Sequence, residues 1–421
     1  GKPVTGVHEY AFDKNAALSE VVLPDSVTKI GPSAFSDCGA LGSVTMSSVT
    51  DIGESAFSGC AALTEIDLSA AMDIGANAFQ GCSALTEVSV PAGVAAVEES
   101  TFADCTSLAS VTFAEGVQSI ASQAFGGCAA LTELLLPDSV TYIGAGVFEG
   151  CSSLTEITLP FVGESAEGNS FLGHIFGGTP ASQNVPASLQ KVTVTSASAL
   201  GQDAFAGCSS LRSVVLPETL VSVGDRAFEG CTQLAELTLP QAVTQIGAQA
   251  FDGCVSLEML DLPDGLQSIG TSAFRNCTGI ASFVLPQSVR EIGSDAFAGC
   301  SSLVSLILPF LGEDADWFGK LFGAGYYMEN GQYVPQTLKT VSVTGGTAVA
   351  DFLFYGCASL EEVTLPSSVT RIGNSSFCGC ASLTDFVLPA SLTDIGPSAF
   401  KDCAGLSTLS VPAGVTSIGA E

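Results

Sequence analysis

The cysteines of this chain are spaced on a ruler. Cys82, Cys105, Cys128 and Cys151 lie 23 residues apart, as do Cys208, Cys231, Cys254, Cys277 and Cys300, and again Cys357, Cys380 and Cys403; Cys38, Cys60 and Cys82 step by 22. Around each one the same phrase returns, "AFEGCTQLAELTLPQAVTQIG" at 227 to 247 and "AFAGCSSLVSLILP" at 296 to 309 being two copies. Its template is C-x-x-L-x-x-(I/V/L)-x-(L/V)-P-x-x-(V/L)-x-x-(I/V)-G-x-x-A-F-x-G. Phe12 stands 23 before Phe35, and Asn15 takes the cysteine's place 23 before Cys38. A period of this length is one coil of a solenoid, which cannot bury an apolar face alone and does so by stacking on its neighbours. No Ser/Pro-rich linker or charge block breaks the register, so residues 1–421 are expected to form a single domain, against the two or three that length alone suggests.

Within a coil, Leu234, Leu237 and Leu239 have the spacing of a short strand entered through a bend. Leu237 and Leu239 face inward, and Glu236 and Thr238 face solvent. Pro240 lacks a backbone donor and marks the strand's end. Val243 and Ile246 give a second short extended piece, and Gly247 permits the turn after it. Ala250 and Phe251 then enter the core from a segment too short for an α-helix, read as one turn of 3₁₀ type. Stacked in register, such coils form ladders of like residues and a parallel sheet with strands about 4.8 Å apart.

The strand motif L-x-x-I-x-L-P, the V-T-x-I-G turn and the A-F-x-G-C closure resemble the BspA-like, Treponema-type class of bacterial leucine-rich repeats, over nearly the whole chain. The resemblance implies a leucine-rich repeat solenoid of the α/β-horseshoe type, mainly β. Its coils would form a right-handed curved stack with the parallel sheet on the concave side and short 3₁₀ or helical turns on the return side. It also implies a secreted or surface-exposed bacterial protein that adheres to host matrix proteins or to other cells. Asn15 fits as well, since other leucine-rich repeat classes use Asn in that column.

Charge narrows the partners. Twelve basic residues against 43 acidic ones leave a formal charge of −31, which repels a nucleic-acid backbone or an anionic lipid surface. Nucleic acid is therefore excluded as an expected partner. No apolar run is long enough to span a bilayer, and the chain opens without a signal peptide. It is read as an excised stretch of a longer protein, with Gly1 a tag scar and the signal and anchor outside it. A monomer is expected.

Fourteen of the fifteen cysteines share one column. Parallel, in-register Cβ vectors do not bring neighbouring sulfurs into disulfide geometry, so buried free thiols are expected. Zinc wants paired Cys or His at short spacing, and Cys378 with Cys380 is the only such pair; Cys378 is read as a surface or half-buried thiol. No metal and no cofactor are expected. His8 and His174, the only histidines, lie in no catalytic motif. Glutamates recur because the repeat recurs, so no glycosidase-like pair stands out. Glu313, Asp314 and Asp316 lack the ligand spacing of a calcium loop and are read as an acidic turn. An enzyme is not expected.

Recognition remains, with two candidate surfaces. On the sheet the solvent-facing positions are acidic at Glu65, Glu87, Glu133, Glu156, Glu236 and Glu362. They turn apolar between Cys208 and Phe310, at Val215, Met259, Val284 and Ile307, with Thr238 and Asp261 among them. This is either β-propensity filling an exposed sheet or an apolar stripe that binds a partner. The second surface is a pair of lengthened coils, 151–185 and 300–334. Cys151 to Cys208 and Cys300 to Cys357 are each 57 residues, and the breaks lie 149 apart, which points to a duplicated multi-coil block. Each longer coil keeps its strand and replaces its return path by an excursion, "SFLGHIFGG" or "DWFGKLFGA". Pro186 and Pro335 stand where the next cysteine would be.

The pairs Phe171/Phe176 and Trp317/Phe322, with Leu172/Ile175 and Phe318/Leu321, predict a short amphipathic helix in each excursion, with His174 and Lys320 outward. Its apolar side would replace the missing Ile and Ala-Phe of the coil. Beyond the second helix, Tyr326, Tyr327 and Tyr333 offer aromatic rings with polar handles, which suit recognition of proteins and stack on sugars. The reading is therefore a non-catalytic recognition scaffold for a protein, a host matrix protein included. The alternatives are a carbohydrate-binding module using the excursion residues Trp317, Tyr326, Tyr327, Tyr333, Phe171 and His174, or a spacer displaying another domain.

Overall fold

The 23-residue period becomes a stack of coils joined by parallel pairing. The computed structural model describes residues 3–167, 171–179, 183–310 and 317–420. Contacts group the chain into two compact units, Gly1–Pro217 and Glu218–Glu421, each described by itself.

Both units are built alike. In the first, the L-x-x-I-x-L segments Glu133–Leu135, Glu156–Leu159, Lys191–Val194 and Ser213–Val215 pair in parallel, with Glu133, Glu156, Lys191 and Ser213 in register. The V-T-x-I segments make a second column, Gly6–Val7, Lys29–Ile30, Asp51–Ile52 and Asp73–Ile74. In the second unit Ser282–Val284, Ser305–Leu308, Thr340–Val343 and Glu362–Thr364 form the first kind of column. Ser222–Val223, Gln245–Ile246, Ser268–Ile269 and Glu291–Ile292 form the second kind. The fold is a leucine-rich repeat solenoid of parallel strands with few helices.

The return path departs from the 3₁₀ turn expected there. At 249–254 Gln249 adopts a left-handed backbone (φ 56), and Phe251 donates its N–H to Ala273 of the next coil (2.7 Å) instead of closing a helix. Asp252 N–H to Gln249 O (3.1 Å) and Cys254 N–H to Phe251 O (3.1 Å) complete a run of hydrogen-bonded turns. A lone coil could not satisfy the alternate donors Gln249, Phe251 and Gly253, which bond Thr271, Ala273 and Arg275; the stack does. Gly247 is also needed for a different reason than a turn. Its φ is ordinary, and a Cβ there would stand 2.5 Å from the Asp225 backbone nitrogen, so the glycine lets adjacent coils touch.

The core follows from columns of identical residues. In the first unit Phe12, Phe35, Phe57, Phe79, Phe102, Phe125 and Phe148 stack ring on ring at 5.1 to 6.0 Å. In the second, Phe228, Phe251 and Phe274 do so at 5.2 and 5.3 Å. All fifteen cysteines are free, and all but Cys403 are buried. Most ladder thiols reach back one coil to a phenylalanine carbonyl, as Cys60 Sγ does to Phe35 O (3.1 Å) and Cys277 Sγ to Phe251 O (3.1 Å). Cys378 is buried too, at 9% exposure, where the spacing suggested a more open thiol; its pKa is raised by burial first and then by Asp402.

Candidate functional site

The sheet face of each unit shows the alternation the template requires. In the second unit Leu237 and Leu239 are buried, while Glu236 and Thr238 are exposed. Met259 is 72% exposed and Val284 57% exposed, and Asp261 is exposed beside them. Val284 lies in register with Ile307, which is half-buried. The column then turns polar at Ser342 and Thr364. The apolar stretch is therefore short and rimmed by polar side chains. Val387, 83% exposed on the strand segment of a later coil, is an apolar face residue that the reading between Cys208 and Phe310 missed; its position in the template would have revealed it. In the first unit Val215 is exposed, as are Glu65, Glu87, Glu133 and Glu156.

The excursions are built to keep the stack continuous. Leu172–Phe176 and Phe318–Phe322 are single 3₁₀ helices ended by Gly177 (φ 72) and Gly323 (φ 102). Gly146 N–H bonds His174 O (2.9 Å) and Phe148 N–H bonds Ile175 O (2.8 Å), so the helix stands where the neighbouring Ala-Phe turn would be. On the other side Leu172 N–H bonds Ala204 O (2.7 Å). The second excursion repeats this through Asp295 N–H to Lys320 O (2.9 Å), Phe297 N–H to Leu321 O (2.8 Å) and Phe318 N–H to Leu353 O (2.8 Å). Phe176 and Phe322 extend the ring columns, 6.4 Å from Phe148 and 6.3 Å from Phe297.

Phe171 is buried, and the half-buried His174 has Nε2 3.2 Å from the Ile143 carbonyl. Trp317 is half-buried and donates Nε1–H to Ala324 O (2.9 Å). By contrast Tyr326 (50%), Met328 (60%) and Tyr333 (41%) reach solvent. Tyr327 stacks on Phe352 at 4.3 Å and meets Tyr355 edge-on at 5.3 Å. The acidic turn Glu313, Asp314 and Asp316 lies outside the described residues. Among the described residues no group of three or more His, Cys, Asp or Glu is placed to hold a metal ion.

One side-chain amide holds each excursion, Gln183 in the first and Asn330 in the second, and both escaped the sequence reading. Gln183 Oε1 accepts from Gly173 N–H (2.8 Å), and its Nε2–H donates to Asp203 O (3.3 Å). Asn330 Oδ1 accepts from Gly319 N–H (2.9 Å), and its Nδ2–H donates to Leu353 O (3.0 Å). Each side chain thus does the work of a missing peptide group between helix and next coil. The glycines leave it room, since a Cβ on Gly319 would meet Asn330 Oδ1 at 2.4 Å. Aligning "FLGHIF" with "WFGKLF" shows the shared glycine, and that was the available signal. Asn330 is fully buried, so Asn330→Ala, which strands the Gly319 N–H while Leu353 O keeps its bond from Phe318, is expected to lower stability by about 1–3 kcal/mol. Urea unfolding measures this; an unchanged midpoint would mean that the amide bonds are not made.

Residues 2–83, 72–177, 198–313 and 337–421 match the BspA type leucine rich repeat region, in six copies. The chain belongs to the BspA-type leucine-rich repeat family. The match leaves out 178–197 and 314–336. Among solved structures the chain is similar to a leucine rich cell surface protein of Faecalibacterium prausnitzii, at 24% identity over 97% of this chain and 83% of that one, TM-score 0.39. It is similar to a leucine-rich repeat protein of Bacteroides ovatus at 26% identity, 99% and 78% coverage and TM-score 0.30. It is also similar to a leucine rich repeat protein of T. pallidum at 32% identity, 46% and 78% coverage and TM-score 0.31. Comparison with curated proteins returns no match. BspA-type proteins occur at the bacterial cell surface, and leucine-rich repeats generally serve as interaction scaffolds. No helix among the described residues is long and apolar enough to cross a membrane.

Proposed function

We propose that this chain is a non-catalytic recognition scaffold at a bacterial surface, and that it binds a protein, host matrix proteins included, through the sheet face of the unit Glu218–Glu421. The observation that carries this is the exposure of Met259 and Val284 on a face whose alternate residues are polar. Exposed apolar groups rimmed by polar ones mark interaction sites, and Met is over-represented at such surfaces. Two further features favour binding over catalysis. The thiols of Cys254 and Cys300 are held protonated, burial pushing each pKa up to about 12, so they are poor nucleophiles. His174 has one ring nitrogen against the Ile143 carbonyl.

The test is an array of extracellular and matrix proteins probed with the 421-residue chain, followed by titration of any hit. Met259→Glu with Val284→Glu should weaken binding at least about tenfold, as expected when two exposed anchors of an interface are lost. Both side chains reach solvent, so the melting temperature should hold. An array without a protein hit, or a hit bound equally by the double variant, would overturn the reading.

A further inference from the structure

Aromatic residues are not spread evenly over this chain. Four of its six tyrosines, Tyr326, Tyr327, Tyr333 and Tyr355, fall within 30 residues, close to its single tryptophan. They lie on and beside the second excursion, in the unit Glu218–Glu421. The first excursion has no counterpart: its Phe171 and Phe176 are buried.

Side-chain hydrogen bonds tie the described part of the excursion, from residue 317 on, into the stack. Beyond the first 3₁₀ helix come a second, Tyr327–Glu329, and a short helix, Asn330–Tyr333. Asn330 ties them to the helix at Gly319 and to Leu353. Glu329 Oε2 accepts from Gly325 N–H (2.8 Å), and Trp317 Nε1–H closes on Ala324 O. Such a frame fixes its exposed side chains before a ligand arrives.

A second observation lies under the tyrosines. Phe352 has φ 61, a left-handed backbone. In the same unit the matching turn position is held by Arg226, Gln249, Ser272, Asp295, Ser375 and Ser398, also at positive φ. A bulky ring in that conformation is an outlier, and backbone strain of this kind gathers at ligand sites. Here the ring supports Tyr327 face to face at 4.3 Å, with an interplanar angle of 24°, and Tyr355 closes on Tyr327 from the edge.

We propose that this platform is a binding site for a neutral pyranose sugar. The C–H face of a pyranose lies flat on an aromatic ring, and its hydroxyls need donors and acceptors beside that ring. Tyr326 and Tyr333 supply exposed rings with phenol groups. The stretch 321–338 contains one charged residue, Glu329, and no lysine or arginine. In a chain of charge −31 this disfavours sulfated or sialylated glycans and suits an uncharged one. The aliphatic pockets that bind lipid tails or apolar peptides have a different chemistry, with few hydroxyls.

The experiment is a glycan array of neutral, sialylated and sulfated oligosaccharides probed with the whole chain, then calorimetric titration of a neutral hit. Tyr326→Ala with Tyr333→Ala should weaken that hit at least tenfold with an unchanged melting temperature. Phe352→Asn, a residue type found in the same left-handed position at Asn77, should keep the fold and weaken binding several-fold by withdrawing support from Tyr327. Met259→Glu should leave sugar binding as it was. The proposal is overturned by an array with no neutral hit, by binding confined to anionic glycans, by full binding in the tyrosine double variant, or by loss of binding in Met259→Glu.

Discussion

Titration from neutral pH to about pH 10 is expected to unfold the protein cooperatively, through its thiols rather than its carboxylates. Burial, the largest cause in every case, pushes Cys60, Cys151, Cys208, Cys254 and Cys300 from an ordinary 9.0 up to about 12. It pushes Cys82, Cys105, Cys128, Cys357 and Cys380 higher still, and Cys277 well above its ordinary value. The folded state thus holds its thiol protons more tightly than the unfolded chain, so stability is full below the ordinary thiol pKa and falls as the pH rises above it. The loss is about 1.4 kcal/mol per thiol for each pH unit above that value. With five or six such thiols in each compact unit, one pH unit removes about 7–8 kcal/mol, a loss on the scale of the roughly 5–15 kcal/mol that holds a domain folded. Circular dichroism followed with thiolate absorbance near 240 nm checks it: the two should change together. Thiolate appearing near pH 9 with the dichroism intact would show that the ladder is open to solvent.

Phe251→Ala should be the most damaging single substitution in the second unit's core. The ring is fully buried between Phe228 and Phe274. Removing it loses its transfer free energy and leaves a cavity, together about 3–5 kcal/mol. Two ring contacts vanish as well, each worth about 0.5–1.5 kcal/mol where measured. Its neighbours are fixed by backbone hydrogen bonds to the coils that follow them, Phe228 N–H to Ala250 O (2.7 Å) and Phe274 N–H to Ala296 O (2.8 Å), which limits collapse into the space. Urea unfolding is the measurement, with Val255→Ala, at a 40% exposed position, as the comparison expected to stay within about 0.5 kcal/mol. A Phe251→Ala variant as stable as that control would mean that the stack is not a close-packed core.

What could be read from the sequence and what could not have separate physical causes. Leu237, Phe251 and Cys254 were legible because stacking puts each residue on its own kind, so a structural role repeats as a spacing. The excursions' helices were legible from Phe171, Phe176, Trp317 and Phe322, although they are single 3₁₀ turns, cut short by left-handed Gly177 and Gly323. Gln183 and Asn330 were not, because an amide that bridges two coils once leaves no period. The return turns keep some i→i−3 bonds of the expected 3₁₀ kind, but their alternate donors go to the next coil, and a one-coil view has no next coil. Phe352 stands at a variable position of the template, which carries no signal of its own; its left-handed backbone and its contact with Tyr327 appear only in three dimensions.

The backbone bonds that carry each excursion have a consequence for how such a molecule diversifies. Because the 3₁₀ helix returns the same donors and acceptors to both neighbouring coils, chain can be added between Phe322 and Leu338 while Ser305–Leu308 and Thr340–Val343 stay paired in register. The sheet face changes by exchange of single side chains such as Met259, and the flank changes by growth. Two surfaces on one scaffold are thereby free to acquire new partners by different kinds of genetic event, neither disturbing the other.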